Sequence, residues 1–412
     1  MGNPNAENVT VHLCIVTGQT LANLIPILQN KPSQIYLLTS DLMKYKAQAF
    51  KKTLLVSAGY QEDQITTVEG LPDHNLDLIE EWGLQLLGEV EEKFPSAQIQ
   101  LNATGGNKLI TLGLVQGAST ASDLVEAFYT DTEHHLLEWL KPRSRPADAL
   151  EGVLNVDTYL LANGKTPRKA ASDDPHWLEA AGLRKATTKW LAKECNSLGK
   201  FFSAMNFTLL EVNAANAALR VQKPFFFSQP VTSISWKKAL SKLQEGGILQ
   251  ISDTNANQFT LTSASSAIYL RGGWIEEYVW HCLKDAGVKD CKAGMEFTET
   301  AHNKNDVRNE LDAVACHRNR LLIVECKTQN YKGDDKKISE AFYKLESLGR
   351  GAGGLFGQKW FVSARELSRG EAEARDLARA KSNDIEVIGP DRLPKLPELI
   401  QRWMKHLTLK LD

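Results

Sequence analysis

Residues 309–329 read NELDAVACHRNRLLIVECKTQ, and the end of the apolar run LLIVECK carries Glu325 and Lys327 two residues apart. A short apolar run bounded by turn signals fits a buried strand. Such a strand excludes charges unless they are paired or bind a metal. Side chains at i and i+2 of a strand share a face, so Glu325 and Lys327 point together and Cys326 points away. Upstream, NELDAVA puts Asp312 at the entrance of a second strand, AVACHRN, and HRNR reads as a turn. The stretch predicts a hairpin with one acid on one strand and Glu-x-Lys on its partner.

The hairpin sits in a chain of 412 residues, 42% hydrophobic, enough for two or three domains with separate cores. The net charge of −2 excludes a globally basic nucleic-acid binder, so polyanion binding has to come from a local patch. None of the six cysteines forms a C-x-x-C pair or a zinc-finger spacing with histidine, which suits a reducing compartment. The opening MGNPNAENV lacks the basic and apolar regions of a secretory signal, and no apolar run approaches the ~20 residues of a membrane span. The expectation is a soluble cytoplasmic protein with no membrane partner.

Working outward from the hairpin, residues 271–412 alternate helix, hairpin, helix, strand, helix, strand and helix, a compact α/β pattern. At the other end, VHLCIVTG, SQIYLLTS, QITTVEG, IQLNATGG and LVEAFYTD are strand patterns separated by helical ones. That alternation predicts a parallel sheet with helices on both faces. KPRSRPADA (141–149) and GKTPRKAASDDP (164–175) read as breaks. Between them and the last third, SWKKALSKLQEGG followed by ILQISDTNANQFTLT predicts a helix and a hairpin. This is either a winged-helix-like element or a scaffold, with scaffold favoured. The fold expected is α/β throughout, with domains at 1–145, a linking region at 146–265 and a last domain at 266–412.

Asp312 and Glu325 are hard oxygen donors suited to Mn²⁺ or Mg²⁺, and a metal between them would polarise a phosphate and acidify a bound water. Lys327 beside them would hold the attacking water or stabilise the charge of the phosphorane. On the preceding helix GGWIEEYVWHCLK (272–284), Trp274, Ile275, Tyr278 and Val279 form an apolar stripe and Glu276 or Glu277 faces the sheet. An ion-paired surface hairpin is the alternative for an isolated E-x-K. The order of helix, acid, turn and E-x-K resembles the PD-(D/E)xK nuclease superfamily, whose fold is restriction-endonuclease-like. Asp312 matches its first acidic motif, Glu325-x-Lys327 its second, and Glu276 the acid often supplied by the first core helix. The resemblance implies catalytic residues Glu276, Asp312, Glu325 and Lys327, with the metal on Asp312 and Glu325. Farther on, Lys336, Lys337, Lys344, Arg350, Lys359 and Arg365 make the region locally basic, which suits a polyanion, although such charge runs are usually solvated faces.

In the N-terminal part, VTGQT (16–20) and NATGGNK (102–108) place hydroxyls, amides and glycines where strands stop and helices start. Helix starts offer free N–H groups to phosphates, although ordinary turn chemistry uses the same residues. No G-x-G-x-x-G accompanies them. NATGGNK resembles the N-x-T-G-G-x-K signature of CARF domains, with Asn107 where Thr is more usual, and VTGQT matches the polar loop after their first strand. The resemblance implies a Rossmann-like sensor of cyclic oligoadenylate, with Thr17, Gly18, Gln19, Ser40, Asn102, Thr104, Gly105, Gly106, Asn107 and Lys108 as ligand-binding residues.

A CARF domain followed by a restriction-like nuclease is similar to the ancillary effector nucleases of type III CRISPR defence. The implied protein is a homodimer, activated by cyclic tetra-adenylate, that cuts DNA, RNA or both with Mn²⁺ or Mg²⁺. The competing expectation is a nucleotide-sensing transcriptional regulator that uses residues 236–262 as a winged helix and carries an inactive nuclease domain.

Overall fold

A computed structural model describes residues 9–213, 216–300, 306–328, 335–353, 357–367, 371–407 and 409–410. The chain divides into two compact units, residues 1–165 and 166–412.

In the first unit the apolar runs form strands β1 (Thr10–Ile15), β2 (Gln34–Thr39), β3 (Ile65–Glu69), β4 (Gln98–Asn102) and β5 (Val125–Asp131). They pair in parallel in the order β3-β2-β1-β4-β5. The central strands β1 and β2 are buried along almost their whole length, as a sheet covered on both faces requires, while the edge strand β3 buries only Ile65. Helices Leu21–Asn30, Lys44–Ser57, Leu76–Lys93 and Lys108–Thr120 make the crossovers. Val11, Leu13, Ile15, Leu38, Ile99 and Leu101 lie in the core between them.

The sheet does not end at β5. Strands β6 (Leu136–Lys141) and β7 (Asp148–Ala149) extend it antiparallel to seven strands, so residues 141–149 are not the break their Pro/Arg content predicts. Arg145 explains the difference. Its guanidinium stacks on the Trp139 ring, 3.5 Å from the centroid, and pairs with Glu126 and Asp148 at 3.1 Å each. Stacking and paired charge hold a segment whose composition reads as linker.

The second break is also structured. Strand β8 (Lys165–Ala170) lies at one edge of the second unit's six-stranded sheet, where Lys169 pairs with Glu296 at 3.3 Å and Arg168 donates to Thr298 Oγ1 at 3.2 Å. Edge strands tolerate charge that interior strands do not, which is why TPRK does not read as a strand.

Strands β10 (Leu249–Ile251) and β11 (Gln258–Leu261) follow the helix Ile234–Glu245, and β9 (Pro224–Phe226), which precedes it, completes a three-stranded sheet in the order β10-β11-β9. This is the helix and hairpin expected, with one further strand. Its Phe225, Phe259, Leu240 and Leu243 belong to the same buried cluster as Trp274, Val324, Trp360 and Trp403. Residues 175–262 therefore share a core with the last third.

The large sheet runs β16 (Ile385–Ile388), β15 (Gly357–Ser363), β14 (Arg320–Lys327), β13 (Asp306–His317), β12 (Asp290–Thr300) and β8. β12, β13 and β14 are antiparallel; β14, β15 and β16 are parallel. The β13–β14 turn holds Arg318 and Asn319 at φ 46° and 62°, the left-handed pair of a tight hairpin. Helix Trp274–Asp285 covers one face with Trp274, Ile275, Tyr278 and Val279 buried, as the stripe predicts. Among the described residues, no helix is long and apolar enough to cross a membrane.

Candidate functional site

The hairpin register pairs Ala313 with Val324, which sets Asp312 across from Glu325 on one face. The Asp312 carboxylate accepts the Cys326 N–H at 2.7 Å and the Lys327 ammonium at 3.5 Å. Lys327 also lies 2.5 Å from Glu325, whose side chain is 2% exposed. Cys326 points the other way, into the core with Val324 and Trp274. The period-two reading of ECK thus holds in space: one face carries the charges, the other packs.

Glu276 and Glu277 separate clearly. Glu277 is buried in a structural network, receiving Arg184 Nε at 2.7 Å and Thr188 Oγ1 at 2.8 Å, with Arg184 over the Tyr269 ring. Glu276 is half-buried and senses the charges of Asp312, Glu310, Lys327 and Glu325. Burial first, then the Asp312 and Glu310 charges, push its carboxyl up to about 8. Asp312 is pushed up to about 6 by burial and by Glu325. For Lys327, burial pulls the ammonium down, but Asp312 and Glu325 outweigh it and the net shift is upward. The cluster therefore holds a charged lysine beside carboxyls that keep a shared proton to higher pH than free ones do.

Lys344 joins this group and was not anticipated there. It projects from the helix Asp335–Gly353 to 3.3 Å from Glu325. The sequence signals only a basic stretch; the crossover from β14 through this helix to the parallel β15 brings Lys344 to the Glu325 face. The other basic residues disperse: Arg350 bonds Glu346 and Lys359 donates to the Asn383 carbonyl at 2.6 Å. Gly294 was also missed. The register of β12 on β13 puts it across from Asp312 at φ 58°, and a Cβ there would lie 3.0 Å from Ala171 Cβ and 3.4 Å from Glu310 Oε1.

The donor set fits a hard divalent ion. Asp312, Glu325, Glu276 and Glu310 gather negative charge, and the upward shifts of Asp312 and Glu276 mark carboxyls whose ionised forms lack enough positive compensation. Among the described residues no group of three His, Cys, Asp or Glu side chains stands ready to hold an ion. The fit is to a cation that takes one or two carboxylates and completes its shell with water and phosphate, as Mg²⁺ does.

In the first unit, β1 and β4 are neighbours, with Cys14 beside Asn102, so VTGQT and NATGGNK leave the sheet side by side. This is where the strand order reverses, the usual ligand crevice of an open parallel sheet. Asn102 is fully buried: it donates to the Ala22 carbonyl at 3.0 Å and its Oδ1 receives the Thr104 hydroxyl at 2.6 Å. Thr104 Oγ1 in turn accepts the Thr130 N–H at 2.7 Å. Asn107 caps the helix Lys108–Thr120, accepting from Ile110 N at 2.9 Å, and donates to the Asp73 carbonyl at 2.7 Å. Gly105 is buried against β1, where a Cβ would lie 2.2 Å from the Ile15 carbonyl oxygen. Ser40 is buried at the end of β2, and Thr17 is half-buried, its Oγ1 accepting the Gln19 N–H at 3.0 Å. Gly18, Gln19, Gly106, Asn107 and Lys108 are exposed. The loop residues thus divide into buried ones that hold the loops and exposed ones.

A family model for the Card1 CARF domain matches residues 11–159, and a model for the Card1-like endonuclease domain matches residues 264–407. The chain belongs to the Card1-like CARF endonucleases. The CARF match spans the parallel sheet and both crevice loops; the endonuclease match spans Glu276, Asp312, Glu325, Lys327 and Lys344. Residues 160–263 lie outside both. Among solved structures, protein VC1899 from Vibrio cholerae is 20% identical over 96% of this chain and 98% of its own, with a TM-score of 0.81. Can2 from Sulfobacillus thermosulfidooxidans, in complex with cyclic tetra-adenylate, is 21% identical over 96% and 99%, with a TM-score of 0.69. A type III CRISPR defence DNA nuclease activated by cyclic oligoadenylate is 16% identical over 89% of this chain and 47% of its own, at 0.53. At these identities the likeness is one of fold. A comparison with curated proteins finds no match.

Proposed function

We propose that this Card1-like protein is a homodimeric, metal-dependent endonuclease that is switched on by cyclic tetra-adenylate and cuts DNA, RNA or both in type III CRISPR defence, in the cytoplasm. The observation that carries the reading is one chain with two sites of matching chemistry. Paired polar loops lie at the switch point of a CARF sheet, and a buried acid–lysine cluster lies on an endonuclease hairpin. The Can2 complex with cyclic tetra-adenylate supports this messenger.

In the C-terminal site Asp312 and Glu325 would hold Mn²⁺ or Mg²⁺, which supplies charge neutralisation at the phosphate and an acidified water. Lys327, held between the same two carboxylates, orients the attacking water and offsets charge building on the phosphate oxygens. Glu276, whose carboxyl burial and the Asp312 charge push upward, is placed to hold or release a proton beside the cluster. Lys344 restrains the Glu325 carboxylate. In the sensor, Lys108, Asn107, Gly106 and Gln19 meet the messenger, while Asn102, Thr104 and Gly105 fix the loop that presents them. A two-fold composed ring matches an isologous pair of such loops, and activation requires that it bind the active arrangement more tightly than the resting one.

Glu325→Ala and Lys327→Ala test the site. Each is expected to abolish cutting while messenger affinity stays at the parent value. Retained cutting by both variants removes the hairpin from the chemistry. The helix-and-sheet module at 224–261 favours the regulator reading as the second choice; messenger-dependent binding of duplex DNA with no cutting under any metal would select it.

A further inference from the structure

A cavity of about 570 Å³ opens in the C-terminal unit between residues 195–200, the start of the helix Ile234–Glu245 and the loop after β15. Arg365 and Lys200 line it, with the hydroxyls of Ser197, Thr232, Ser233 and Ser235. Glu366 is the one carboxylate among its described lining residues and is exposed. The Arg365 guanidinium lies against Gly199, where a Cβ would come within 2.4 Å of its Nη1, so glycine is what leaves the guanidinium its place. It is half-buried, and no ion pair of it is found among the described residues, whereas Lys344 and Arg350 each pair with a glutamate. A half-buried guanidinium whose neighbouring carboxylate, Glu366, only partly offsets the cost of its burial is the kind of group an anionic ligand stabilises. The helices Gly199–Thr208 and Ile234–Glu245 also begin here, neither with a side-chain cap, adding N–H donors of the same polarity.

The cavity is tied to the catalytic strand. Ser363 on β15 is the register partner of Lys327, and Ala364 N donates to the Lys327 carbonyl at 2.9 Å. Ser363 Oγ accepts the Arg365 N–H at 3.1 Å and donates to the Arg365 carbonyl at 2.7 Å. Cys195 Sγ donates to the Ala364 carbonyl at 3.1 Å. Arg365 is thus clamped two residues beyond the partner of Lys327, at most about 7 Å of chain away. We propose that this cavity seats a backbone phosphate of the nucleic acid being cut, next to the scissile bond, with Arg365 as its principal contact and Lys200 as a second. The seat rests on the nuclease reading and extends it: it positions substrate and takes no part in bond breaking.

The test is fluorescence anisotropy of labelled single-stranded DNA and RNA oligonucleotides with the full chain and cyclic tetra-adenylate, in EDTA, over a salt series, paired with cleavage kinetics in Mn²⁺. Arg365→Gln is expected to weaken binding about tenfold or more and to lower the slope of log affinity against log salt by about one. The loss falls on KM more than on kcat, and Arg365→Lys recovers part of it. Lys200→Gln, at an exposed position, gives a smaller loss with the same change in slope, and decides the matter if Arg365→Gln melts early. Unchanged affinity and slope in both variants, with a parent protein that binds and cuts, overturn the seat and leave the nuclease reading standing. A parent that neither binds nor cuts either oligonucleotide overturns both.

Discussion

Gly105→Ala is a single-methyl perturbation with a large expected effect. The added Cβ would lie 2.2 Å from the Ile15 carbonyl oxygen, 2.8 Å from Thr17 Cγ2 and 3.1 Å from the Ile15 carbonyl carbon. Two of these atoms are backbone at the end of β1, where the Ile15 carbonyl accepts the Asn23 side-chain amide at 2.8 Å, and cannot swing away. Relief requires the β4 loop to move off β1 by about 1 Å, which breaks the close approach on which the crevice depends. Overpacking of this kind costs about 1–3 kcal/mol, and more where backbone is the obstacle; we expect about 3 kcal/mol. In a unit of 165 residues that lowers the melting temperature by about 6–12 °C. The control is Gly18→Ala, in the neighbouring loop, where a Cβ meets nothing within 4 Å; its melting should stay within about 0.5 kcal/mol of the parent. The assay is calorimetric melting of the full chain with and without cyclic tetra-adenylate, with titration calorimetry for affinity. At a hundred times Kd the messenger adds about 2.7 kcal/mol to the parent, and Gly105→Ala should lose most of that gain. Unaltered melting and unaltered affinity in Gly105→Ala would refute the packed-loop reasoning.

Lys108→Ala, at an exposed position in the first turn of its helix, should weaken messenger binding about 10- to 150-fold by calorimetry, the worth of a charged hydrogen bond, with melting unchanged. Glu277→Ala leaves Arg184 buried without its partner and should destabilise the second unit by about 3–5 kcal/mol, measured by denaturant unfolding. Glu276→Gln should not lower stability, yet should slow cutting about a hundredfold or more. Burial depresses the His12 imidazole from 6.5 to about 4, against the smaller opposing effect of its bond to Gln100. A depressed folded value means that His12 favours the folded state fully above pH 6.5, and that this contribution, about 3 kcal/mol, is lost as pH falls toward 4. Melting of the first unit should drop across that window in the parent and less steeply in His12→Leu.

The parts of this account legible in the sequence are those written in local patterns. The β13–β14 hairpin shows as an apolar run, a turn and a charged strand end. The parallel order of the first unit shows in strands alternating with helices. What stayed hidden depends on partners far along the chain. Lys344 belongs to the carboxylate cluster because a crossover helix lies over Glu325, and no spacing in the sequence reports that. Glu276 and Glu277 are adjacent, and helical periodicity alone does not tell which one Arg184, nearly a hundred residues earlier, takes. Residues 141–149 and 164–175 carry the proline and charge of linkers, but Trp139, Glu126 and the exposed edge of β12 give them partners. Asn102 and Thr104 look like ligand-reading groups in one dimension; in three they bond to Ala22 and Thr130 and hold the loop.

The central claim joins the sensor to the cutting site, and a cleavage assay tests it most directly. Purified full-length protein with Mn²⁺ is incubated with supercoiled plasmid and with single-stranded RNA, with and without cyclic tetra-adenylate. The account predicts cutting of at least one substrate only when the messenger is present, and none by Lys327→Ala. Cutting that is equal with and without the messenger, or absent in both, would contradict it.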